Sequence, residues 1–224
     1  MDSSVLFEDD VNKIKEYLSV HPEDINILSY YDKTPLMCAV FYERVDVIDC
    51  LIEHGCDINF QDNSGRTALH FACWVLNINR DIIERLISNG ASGLLKDSWG
   101  ETPLHSAAAC ANDVNIIHQL LFVSDPNSLD NEGINPLMKF CNRNIFIEII
   151  STLINVTYDI NLQDTRGRTA LHRCCYLNEN HEVMKLLLSS GADVSIKDNK
   201  GRTPYDLADK EGKRIIDEYL ASRK

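Results

Sequence analysis

Positive charge is scarce in this sequence. Lys and Arg number 22 against 34 Asp and Glu, a net charge of −12 over 224 residues. Nucleic-acid binding rests on clustered cations set against phosphates, so that class is disfavoured. Long apolar runs are missing as well: nothing approaches the ~18 consecutive apolar residues of a membrane span. The opening MDSSVLFEDD is acidic, whereas a secretory signal carries positive charge ahead of an apolar core. The expectation is a cytoplasmic and/or nuclear protein that engages neither nucleic acid nor membrane. The spacings G-x-x-x-x-G-K-[ST], G-x-G-x-x-G, H-E-x-x-H and C-x-x-C are also absent. Those patterns cradle phosphates or gather metal ligands. No cofactor, metal site or catalytic residue is therefore expected, and the chain reads as not an enzyme.

Eight cysteines stand at 38, 50, 56, 73, 110, 141, 174 and 175. In a chain of this length with no export signal they read as reduced thiols filling small buried sites. His172 beside Cys174 and Cys175 is the nearest approach to a metal cluster. Adjacent helical cysteines point about 100° apart, so they do not share one ion. Charge is distributed unevenly: residues 1–60 hold 13 acidic and 4 basic side chains. Such an acidic third is either a solvated face or a docking surface for a basic partner.

Glycine and proline are few, 10 and 6, and most sit in register with an internal repeat. The segments Lys33–Met37, Arg66–His70, Glu101–His105, Ile134–Met138, Arg168–His172 and Arg202–Asp206 align on a T-P-L-H core. Their Thr or Asn positions are 34, 67, 102, 135, 169 and 203, steps of 33 to 35 residues. Gly65, Gly100, Gly133, Gly167 and Gly201 stand two residues before that position, where a tight turn needs a positive φ. Asp32 takes the place in the first full repeat. Thr then serves as N-cap and Pro as first helical residue. Each unit holds a short helix such as Thr67–Cys73 and a second, amphipathic one with stripes such as Val47, Ile48, Leu51 and Ile52. Two helices alone leave that stripe wet, whereas stacked neighbours bury it.

This pattern resembles the ankyrin repeat family, whose period is 33 with a T-P-L-H-x-A core. The resemblance implies an all-α fold, an α-solenoid of about seven ankyrin repeats of helix-turn-helix plus β-hairpin-like loop. The boundaries read as an N-terminal cap over 1–28, full repeats over 29–61, 62–96, 97–129, 130–163 and 164–197, and a C-terminal cap over 198–224. It also implies that the recurring His70, His105 and His172 hold neighbouring loops.

The function implied is a non-catalytic protein-protein interaction scaffold or adaptor. It would act as a monomer and grip a partner protein through its concave groove and hairpin tips. The alternatives are a targeting or regulatory subunit of a ubiquitin/proteasome or NF-kappa-B-type complex, or a host-interaction protein of a virus or pathogen. The expected partner-binding residues are Tyr31, Phe41, Phe71, Trp74, Trp99, Lys139, Arg143, Arg173 and Tyr176. Trp99 sits on a hairpin tip, where it either anchors a partner or lies flat on the next hairpin. Tyr31 is also a tip residue, and the rest make a groove that is aromatic towards its N-terminal half and basic near Lys139, Arg143 and Arg173. The family's asparaginyl hydroxylation pattern matches at Asn59 and Asn161, where the amide otherwise bonds the loop backbone.

Overall fold

A computed structural model describes residues 3–29, 31–74, 79–142, 146–176 and 181–223. Among them there are helices and turns and no strand. The chain forms two compact units, Met1–Cys110 with Asn115–Ser124, and Ala111–Val114 with Asp125–Lys224.

The first unit opens with α1 (Val11–Val20). It continues with the pairs α2 (Pro35–Phe41) and α3 (Val45–Glu53), α4 (Ala68–Trp74) and α5 (Arg80–Ser88), and α6 (Pro103–Ala107) and α7 (Val114–Leu121). The second unit holds α8 (Pro136–Cys141) with α9 (Ile147–Val156), α10 (Ala170–Tyr176) with α11 (His181–Ser189), and α12 (Pro204–Leu207) with α13 (Lys210–Ala221). Short helices stack in a row within each unit, α2 on α4 on α6 and α8 on α10 on α12. The amphipathic helices supply most of the core, with Ile48, Leu51, Ile83, Leu86, Ile150, Leu153 and Leu187 fully buried. The terminal helices bury one stripe only: Ile14, Tyr17 and Leu18 in α1, Ile215 and Ile216 in α13.

The T-P-L-H core is a helix-capping device. Thr34 Oγ1 accepts the Met37 N–H at 3.2 Å, and Pro35 occupies the first helical position. In α2, α4, α6, α10 and α12 the third residue's side chain returns the favour to the capping residue's own N–H. His Nδ1 does so at 3.1 Å in His70 and 3.2 Å in His105 and His172. Met37 Sδ and Asp206 Oδ2 take the same post. This is the reciprocal capping box, built on histidine.

An acceptor Nδ1 fixes the neutral tautomer with the proton on Nε2. That proton is donated to the following repeat: His70 to the Glu101 carbonyl and His172 to the Arg202 carbonyl, each at 3.1 Å. The histidines therefore hold neighbouring loops. Burial lowers both pKa values, although those carbonyl bonds oppose the shift.

The turns carry a second periodic residue that the sequence reading passed over. Asp62, Asp97, Asp130, Asp164 and Asp198 each accept, through Oδ1, the N–H groups two and four residues on, at 2.8–2.9 Å. Ser29 does the same at 3.3 Å in the first repeat. Gly65 closes its turn at φ 74° and lies so near the next tip that an added Cβ would stand 3.0 Å from Asp97 Cα. Tips bond directly, Ser98 N–H to the Ser64 carbonyl at 2.8 Å and Thr165 N–H to the Glu132 carbonyl at 2.9 Å.

A candidate interaction surface on the first unit

The helices α2 and α4 both end on half-exposed aromatics. Phe41 closes α2 and is 44% exposed; Trp74 closes α4 and is 52% exposed. Both face a cleft of about 360 Å³ lined by Tyr31, Lys33, Cys38, Phe41, Tyr42, Arg66, Phe71 and Trp74. The lining therefore combines aromatic walls with two cations and contains no carboxylate.

Geometry around Arg66 decides the character of the cleft. Arg66 leaves the tip just after Gly65, and its guanidinium lies between two indoles, 4.9 Å from the Trp74 ring centre and 4.8 Å from that of Trp99. Trp99 resolves accordingly: one face covers Arg66, and the residue stays 54% exposed. Cation–π contacts of this kind are each worth about 0.5–2 kcal/mol. The guanidinium is thus in contact with both indole faces at once. Its ionic neighbour is Asp97, with Nε to Oδ2 at 3.9 Å, too long for a hydrogen bond. Lys33 lies 5.3 Å above the Phe71 ring.

Phe71 lines the cleft from below. Expected as a groove contact, it is 2% exposed and forms the cleft floor. As the fourth residue of α4 it faces the stack, where its ring displaces water. Cys38 sits in the wall with its thiol pKa raised, chiefly by burial, although Lys33 pulls it down. That thiol is protonated and a poor nucleophile at neutral pH. Arg44 is committed elsewhere: it stacks 4.8 Å from Tyr42, pairs with Asp9 and donates to the Phe7 carbonyl at 2.7 Å.

The second unit supplies less than expected. Arg173 was read as a groove cation, but it is 9% exposed and bound to Asp164 Oδ2 at 2.5 Å. Asp164 also holds its turn, so the arginine is anchored to a buried acid and presents no charge to a partner. Lys139 is half-buried on α8, and Arg143 lies outside the described residues. Tyr176 ends α10 at 59% exposure, with the Arg168 guanidinium 5.8 Å from its ring. The spacing Arg66/Trp74 recurs as Arg168/Tyr176, a signal present in the sequence and overlooked.

Asn59 and Asn161 bond the next repeat through both amide atoms. Asn59 Nδ2 donates to the Gly90 carbonyl at 3.0 Å and Oδ1 accepts Ser92 N–H at 2.8 Å. Asn161 donates to the Gly191 carbonyl at 3.4 Å and accepts Asp193 N–H at 2.8 Å. Buried thiols are inert throughout: burial pushes Cys141 and Cys175 up to about 12, and Cys73 higher still. The eight cysteines form no disulfide. No helix among the described residues is long and apolar enough to cross a membrane.

Comparison with known proteins agrees with this architecture. Mouse inversin is 50% identical over 42 residues, and human inversin 48% over the same length. The stretch is 19% of this chain and 4% of either relative, so the chain spans only a small part of their length. The crystal structure of the ankyrin repeat domain of Bcl-3, described as a member of the IkappaB protein family, superposes with a TM-score of 0.75. It covers 98% of this chain and 96% of that one at 22% identity, a likeness of fold. A family model described as ankyrin repeats (3 copies) matches residues 4–97, 104–198 and 147–222. Ankyrin repeats are in general protein–protein interaction modules, and this chain belongs to the ankyrin repeat family.

Proposed function

We propose that the chain is a non-catalytic scaffold or adaptor that grips a partner protein through the groove-side ends of its short helices and its hairpin tips. The seven-repeat division given above is the frame of that reading. The observation that carries it is the first unit's cleft, where Phe41 and Trp74 stay about half exposed and Arg66 also touches the half-exposed Trp99 beside it. Large aromatics left in solvent beside cations are the groups most enriched at interface hot spots, where truncation often costs about 2 kcal/mol or more. Tyr31 widens the contact, and Tyr176 with Lys139 offers a weaker counterpart on the second unit.

The IkappaB-type description of Bcl-3 is compatible with a regulatory subunit in the cytoplasm or nucleus. At 22% identity that likeness supports the fold and leaves the partner to experiment. Asn59 and Asn161 enter the proposal as hydroxylation targets. Each would first have to release its two inter-repeat bonds, and a mass gain of one oxygen in protein taken from cells is the readout.

The test is a pull-down compared by mass spectrometry between wild type and Trp74→Ala/Trp99→Ala of matched helicity. Loss of a specific protein by the variant alone is the expected result. Identical retention by both would make these aromatics packing residues and end the reading.

A further inference from the structure

Resting on that reading, we infer that the first unit's cleft takes an acidic peptide segment, in which an apolar side chain fills the cleft and flanking carboxylates meet Lys33 and Arg66. Charge complementarity argues for this occupant. The lining holds two cations and no carboxylate, although the first 60 residues carry 13 acids against 4 bases. A positive island in an acidic region is selective at contact range. Screening over about 8 Å at physiological salt removes most of the remote repulsion while leaving touching pairs intact.

Arg66 is built to receive a carboxylate. Held against both the Trp74 and Trp99 rings, it has less of the side-chain freedom that exposed ion pairs usually sacrifice. A guanidinium edge accepts a carboxylate in a bidentate manner. Asp97, the ionic neighbour, spends its Oδ1 on the Trp99 and Glu101 N–H groups and keeps Oδ2 at 3.9 Å. A closer incoming carboxylate therefore makes the stronger pair. Lys33 is held over Phe71, and among the described residues it has no ion-pair partner. In the same cleft, Phe41 and Trp74 offer apolar walls for a side chain such as leucine or phenylalanine.

The chain has two tryptophans, and both flank Arg66, so intrinsic emission reports on this site alone. The experiment titrates the full chain with three tryptophan-free synthetic peptides: a leucine pair flanked by glutamates, the same pair flanked by lysines, and glutamates flanking serines. Emission should shift saturably with the first peptide and at least about tenfold more weakly with the other two. Anisotropy of the labelled first peptide should show about tenfold loss with Lys33→Gln or Arg66→Gln. Lys33→Gln lies at the surface and keeps the tryptophan stack, so it separates charge from folding.

Equal or tighter binding of the lysine peptide would overturn the acidic assignment, and equal binding of the serine peptide would overturn the apolar anchor. A shift on concentrating the protein alone would give the cleft to a second copy. If no peptide shifts emission while Trp74→Ala/Trp99→Ala still loses its partner in the pull-down, this inference fails and the scaffold reading survives. If the pull-down is unchanged too, both fail.

Discussion

Individual residues in this chain are specified by what they must hold rather than by size alone. His70 and His172 accept at Nδ1 and donate at Nε2, which protonation forbids. Their folded pKa values lie below the ordinary 6.5, so the unfolded chain takes a proton first. Stability is then full above pH 6.5 and declines as pH falls from there towards the folded values. Urea titrations across that window should show the decline, and His172→Gln should flatten it. Asp198 behaves differently. Burial would raise its carboxyl, but the Arg202 side chain and the Arg202 and Lys200 N–H groups together hold it at about 2. Its contribution is present above the ordinary 3.8 and is lost as pH falls towards 2. Asp198→Asn should lower stability at neutral pH while shrinking the acid-induced loss. Arg173→Ala leaves Asp164 buried and unpaired, a change that typically costs about 3–5 kcal/mol. A loss under about 1 kcal/mol would mean that the pair is solvated after all.

At the scale of elements, the turns and short helices were readable because each demands a particular residue type at a fixed offset. The Thr-Pro start of α2 and the positive-φ glycines follow directly from cap and turn chemistry. The capping role of histidine was legible only as recurrence, since its second bond runs to the next repeat. Arg173 misled because its partner lies nine residues back across a tip, a distance in sequence that says nothing of contact. Gly167 and Gly55 separate two effects that a glycine count merges. Both have positive φ, 74° and 79°. A Cβ on Gly167 would meet Asn199 N at 2.9 Å, whereas one on Gly55 meets nothing within 4 Å. Gly55→Ala should cost about 1–2 kcal/mol from the left-handed backbone alone. Gly167→Ala should cost measurably more by chemical denaturation, and equal losses would refute the close approach. In α4, Leu69→Ala should cost about 2–5 kcal/mol, because Leu69 is fully buried.

For the molecule as a whole, the fold was largely legible and the site only in part. A T-P-L-H core recurring at 33 to 35 residues leaves little choice of architecture, since amphipathic pairs of this length bury their stripes only by stacking. Phe41 and Trp74 could be placed at exposed helix ends by register. The Arg66–Trp74 half of the clamp left a trace in the recurring eight-residue spacing, but the Trp99 half did not, because it joins two tips 33 residues apart. The account turns on this clamp being a solvent-open, cationic surface rather than interior packing. The most direct measurement is quenching of tryptophan emission by iodide and by caesium at equal ionic strength. Trp74 and Trp99 flank the same cation, so the iodide-to-caesium quenching ratio should exceed that of free N-acetyltryptophanamide. A ratio at or below that of free N-acetyltryptophanamide would contradict the cationic surface, and resistance to both ions would show the tryptophans buried.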